Sequence, residues 1–191
     1  MLRDAGLITV TKDGQNLILF FVNPQGFRRY EHIKRTTGAP TGRVEAEVRR
    51  LIQSDEFQRD HAAAHTKWAK AEELLWGADS ASQLSAIGHH CREAMQEFTT
   101  TLVSRYQPLG VNTNPSNTVA RLKAVLTVAS IGGLTERAFL EALVSYWGAV
   151  SDLVQRQEHA GEKERRAVTW DDARRVVFQT MAVMYEVARS L

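Results

Sequence analysis

From Asp79 to the C-terminus, apolar residues return every three or four positions in four successive runs, and this periodicity limits the fold more than any other feature of the chain. The first run is Leu84, Ile87, Cys91, Ala94, Phe98 and Leu102, enough for a helix of roughly 35 Å. Val119, Leu122, Leu126 and Ala129 mark a shorter second helix. Phe139, Leu143, Trp147, Val150 and Val154 are the expected inward face of a third, with Thr135 as its cap. Ala173, Val177, Thr180, Met181, Met184 and Ala188 mark the last, opened by Thr169 and Asp172 in the spacing of a capping box. Pro108, Gly110 and Pro115, then Gly132-Gly133, then the charged run from His159 to Arg166 separate them. Apolar faces this wide have to pack on one another, which predicts an antiparallel bundle of four long helices over residues 79–191.

The first part of the chain reads differently. Leu7 to Thr11 and Leu17 to Val22 are β-branched and aromatic runs around Asp13-Gly14, the pattern of a β-hairpin. Asn23-Pro24 then opens a helix that Gly38-Ala39-Pro40 ends. Residues 39–78 form a helical connector, with Val44, Val48 and Leu51 on one short helix. Ala64, Trp68, Ala71 and Leu75 line a second, stopped by Gly77. The expected division is therefore 1–38, 39–78 and 79–191, in a mainly α chain with an N-terminal hairpin and helix.

Composition narrows the function. A net charge of +2 over 191 residues excludes a uniformly basic nucleic-acid coat but leaves room for a local patch. The single cysteine, Cys91, cannot form an intramolecular disulfide and points to a reducing compartment. No apolar run approaches the roughly 20 residues that span a bilayer, and Asp4 and Gly6 sit where a signal peptide would be apolar. A cytoplasmic location without membrane contact is expected.

Gly6-Leu7-Ile8, the hairpin, and Asn23-Pro24-Gln25-Gly26 through Tyr30 resemble the wing and closing helix of bacterial winged-helix domains, with Pro24, Gly26 and Tyr30 matching. The resemblance covers about the first 35 residues and implies a partial winged helix, holding at most the end of a recognition helix. Arg28, Arg29, His32, Lys34 and Arg35 would then be a cluster able to contact phosphates without reading bases. A solvated helix face is the alternative for the same residues.

Arg156 and His159 close the third bundle helix, ahead of a charged loop and the last helix. That order resembles the HEPN superfamily of prokaryotic defence and toxin proteins, toxin–antitoxin systems among its settings. There, an Arg and a His at this junction converge from two subunits on an RNA phosphate without a metal. The resemblance implies a homodimer, with His159 in acid/base work and Arg156 holding phosphate charge. Only two residues separate the pair, a shorter spacer than the family's. A helix C-terminus complemented by cations accounts for them more simply. A second Arg/His match, Arg59 and His65, lies in the connector.

His89, His90 and Cys91 point about 100° apart on a helix and cannot converge on one ion, so neither a metal nor another cofactor is expected. Arg165, Arg166, Arg174 and Arg175 bracket the start of the last helix and are further phosphate candidates. The reading favours a non-enzymatic dimerising module that engages RNA, DNA or a protein partner in a defence or regulatory setting. A metal-independent HEPN-type ribonuclease using Arg156 and His159 is the alternative.

Overall fold

The computed structural model describes residues 5–12, 18–22, 24–37, 48–77, 80–129, 131–159 and 168–191. Strands β1 (Ile8–Lys12) and β2 (Ile18–Val22) pair antiparallel, with Val10 opposite Phe20. Helix α1 (Pro24–Thr37) follows directly. Gly26 is buried where α1 meets the strand pair, and a Cβ there would overlap the Leu7 carbonyl oxygen. The expected turn at Asp13-Gly14, the Asn23 cap and the Gly38-Ala39-Pro40 break lie outside the described residues.

Helical residues 48–52 lead into α2 (Asp55–Asp60), where the Ser54 hydroxyl accepts the Phe57 amide at 3.2 Å and caps the helix. Helices α3 (Ala62–Trp76), α4 (Leu84–Tyr106), α5 (Thr118–Val128), α6 (Leu134–His159) and α7 (Trp170–Ser190) complete the chain. Helix α4 is the hub, packed against α3, α5, α6 and α7. It can serve four neighbours because its buried residues are not a single narrow stripe. Ile87, Cys91, Ala94, Phe98 and Leu102 are joined by Gly88, Met95 and Thr99. Each large side chain sealed here contributes about 1.5–3 kcal/mol relative to exposure.

Three tryptophans cross-link the helices by donating their indole N–H groups. Trp68 donates to the Val177 carbonyl at 3.2 Å, Trp147 to the Thr180 hydroxyl at 2.9 Å and Trp170 to the Leu75 carbonyl at 3.2 Å. Burying indoles this way costs no unpaired donor. The capping box at the head of α7 is present in full, with the Thr169 side chain on the Asp172 amide and the Asp172 carboxylate on the Thr169 amide.

The expected architecture is corrected in two respects. Among the described residues there is no winged-helix-like unit: the two strands contribute ten residues to a two-stranded ladder, and α1 lies against α3 rather than closing a domain of its own. A bundle of four long helices over 79–191 is also not the packing unit. Among the described residues helix α3 makes the most extensive helix–helix contact, with α4, and its Ala64, Trp68, Ala71 and Leu75 are core residues. The physical reason is that α4 has apolar surface on more sides than α5, α6 and α7 cover. Within α6, Trp147 and Val150 are buried and Leu143 packs against the core, as expected, but Leu140, Val144 and Ser151 are buried too and Phe139 is instead 53% exposed. The helix begins one residue before Thr135.

Candidate functional site: an arginine-lined cleft

The C-terminal half of α3 and the N-terminal half of α7 lie side by side, pinned by the Trp68 and Trp170 hydrogen bonds. Trp76 meets Trp170 edge to face, with ring centroids 5.6 Å apart. Between the helices a cleft of about 390 Å³ opens, lined by Arg49, Trp76, Arg174, Arg175 and Phe178 over a floor of Trp68, Leu75 and Met181. Glu72 and Asp171 also border it. Arg49 is ion-paired with Glu72, and both side chains are largely withdrawn from solvent, 20% and 16% exposed. Across this pair a second hollow of about 400 Å³ is lined by Arg28, His32, Glu73 and Trp76. The two hollows share Arg49, Glu72 and Trp76 and so lie side by side.

The structure thus brings together some of the expected phosphate contacts and not others. Arg28, Arg174 and Arg175, from the two ends of the sequence, border the paired hollows. Arg29 is exposed on α1 and lines neither. The side chains of Lys34 and Arg35 lie outside the described residues, as do Arg165 and Arg166 entirely. Arg156 and His159 fall on the final turns of α6 by backbone, and their side chains are likewise outside the described residues. Arg59 and His65 belong to different helices, α2 and α3. Sequence reasoning missed Arg49, Glu72 and Trp76. Their one visible signal was an aromatic residue, Trp76, one place beyond the apolar stripe that ends at Leu75.

Two further polar clusters are structural. Glu93 accepts from Lys67 at 3.1 Å and lies 3.2 Å from His90 Nδ1 and 3.6 Å from His89 Nε2. Burial opposes its ionised form, but Lys67 and the two histidines outweigh this and hold the carboxyl below its ordinary range. Arg105 donates to Asp60 at 3.0 Å and depresses that carboxyl in the same way. Beside it His61 is 5% exposed and packed between the rings of Phe57 and Phe98, and burial pushes its pKa down. Among the described residues no group of His, Cys, Asp and Glu is placed to hold a metal ion. Nor is any helix there long and apolar enough to cross a membrane.

No family model matches the chain, and no curated protein or solved structure matches it either. The HEPN-like and winged-helix-like resemblances are corrected accordingly. Neither has support from a related protein, and the helical core built around α3 and α4 is not the arrangement either one implied.

Proposed function

We propose that this protein is a non-enzymatic module, acting as a homodimer, that engages nucleic acid through the cleft between α3 and α7. The observation that carries the reading is the convergence of Arg28, Arg174 and Arg175 on a surface whose walls include Trp76 and the 41% exposed ring of Phe178. Guanidinium groups hold phosphates as planar forks, and aromatic faces stack unpaired bases without regard to sequence. Flexible single strands fit an interrupted groove of this kind better than a rigid duplex. Glu72 and Asp171 keep the lining from being uniformly basic, which accords with the modest net charge of +2. A defence role rested on the resemblance and falls with it. A cytoplasmic setting suits a chain whose one cysteine is a buried thiol.

The test is fluorescence anisotropy with labelled single-stranded RNA, single-stranded DNA and duplex DNA at about 50 and about 200 mM salt. Binding to a single strand, weakened about tenfold by Arg174→Ala with Arg175→Ala and by Arg28→Ala, supports the reading. The salt slope should fall with each arginine lost. Undetectable binding to every probe at the lower salt, or binding that the folded variants retain in full, removes it.

A further inference from the structure

Helix α6 buries Leu140, Val144, Trp147, Val150 and Ser151 against the bundle and leaves a second face outward. Thr135, Phe139, Ala142, Tyr146 and Ala149 are exposed, at alternating steps of four and three residues. That is the spacing of a coiled-coil seam, and it sets the five residues on one face of the helix. From Ala142 to Ser151 the helix carries no charged residue, although it lies on the surface. Interface cores are depleted of charge and enriched in aromatic side chains in the same way.

We infer that this face is where two copies of the chain pair, α6 against α6, antiparallel about a two-fold axis at the level of Val144. The choice of a second copy over another partner follows from the order of sizes along the stripe. Phe139 and Ala149 stand five residues either side of Val144, and Ala142 and Tyr146 two residues either side. A two-fold axis there sets each aromatic ring opposite an alanine of the partner, in both directions at once, as an isologous contact requires. The acidic residues Glu136 and Asp152 lie about 100° to opposite sides of the stripe and do not meet across the axis. From Thr135 to Ala149 the seam is about 21 Å long, and it covers much less than the roughly 800 Å² per partner of a stable complex. The dimer is therefore a weak one, with a dissociation constant on the order of micromolar.

This deepens the homodimer of the reading above, and its test reads mass rather than nucleic-acid binding, so the two fail separately. Sedimentation equilibrium of the intact chain from about 1 to about 300 µM should show its mass rising from one chain toward two. Phe139→Glu and Tyr146→Glu, at exposed positions, should raise the dissociation constant at least about tenfold with unchanged circular dichroism. For orientation, Ala142→Cys mixed with Tyr146→Cys should cross-link under mild oxidation faster than either variant alone. A mass that stays at one chain up to the highest concentration overturns both the seam and the homodimer. A dimer indifferent to both charge substitutions overturns the seam alone. Cross-linking that favours like with like overturns the antiparallel register.

Discussion

Trp147 donates its indole N–H to the hydroxyl of Thr180 at 2.9 Å across the α6–α7 contact, and the same hydroxyl donates to the Val176 carbonyl at 2.7 Å. Both side chains are buried, so the hydroxyl is what allows an indole to sit there. Thr180→Val keeps the shape and removes the acceptor, leaving a buried N–H unpaired. A loss of about 1–3 kcal/mol is expected, read as a lower urea midpoint at unchanged slope. A change within about 0.5 kcal/mol would mean that the bond carries no net stability.

Cys91 is fully buried on α4, and burial pushes its thiol up to about 12, with the neighbouring Thr180 hydroxyl pulling slightly the other way. The folded state disfavours the thiolate, whereas an unfolded chain forms it above about pH 8.5. The thiol therefore costs nothing at neutral pH. Stability falls by up to about 1.4 kcal/mol per pH unit as pH rises from there toward the folded value. A thiol-reactive chromophore at pH 8 should label the native protein only through unfolding, while urea-unfolded chain reacts at once. Rapid stoichiometric labelling of folded protein would contradict the burial.

His61 gives the opposite dependence. Its folded pKa is lowered by burial, so the folded state resists the proton that the unfolded chain accepts below about pH 6.5. Its contribution is complete above that pH and is lost as pH falls through the window toward the depressed folded value. Replacement by a neutral ring, His61→Phe, should flatten the stability profile just below pH 6.5 relative to wild type. Parallel profiles for the two proteins would place the acid sensitivity elsewhere.

Gly26 lets the strand pair touch α1, because any Cβ would overlap the Leu7 carbonyl oxygen and come within 2.8 Å of Val22 Cγ1. Gly26→Ala should free the ladder and speed amide hydrogen exchange at Ile8 to Lys12. The bundle should keep its melting temperature within about 2 °C, since among the described residues the core cluster draws nothing from β1, β2 or α1. A cooperative loss of the whole fold would show instead that the ladder supports the bundle.

Local order was legible in the residues. Ala64, Trp68, Ala71 and Leu75 were read as one helical face and are the buried face of α3. Thr169 and Asp172 form the capping box their spacing suggested. Both follow from interactions within one turn or one stripe, which a linear pattern records. The cleft was legible only in part. Arg174 and Arg175 stand out in the sequence for their place near the start of the last helix, but only the structure sets them in a hollow beside α3 with Trp76 and Arg49. Nothing in the order of residues announced that Arg49 would pair with Glu72.

Phe139 shows where a stripe stops being informative. Helix α6 carries apolar residues on two faces, and periodicity alone cannot say which faces the core. The sequence by itself determined the long helices and the capping box that opens the last of them, because these depend on neighbours within a few positions. Only the tertiary structure decided that α3 joins the core, that Leu140 rather than Phe139 turns inward, and that arginines from both ends of the chain border two neighbouring hollows. Those outcomes depend on how much apolar surface each helix offers to the others at once, a sum over the whole molecule that no single segment contains.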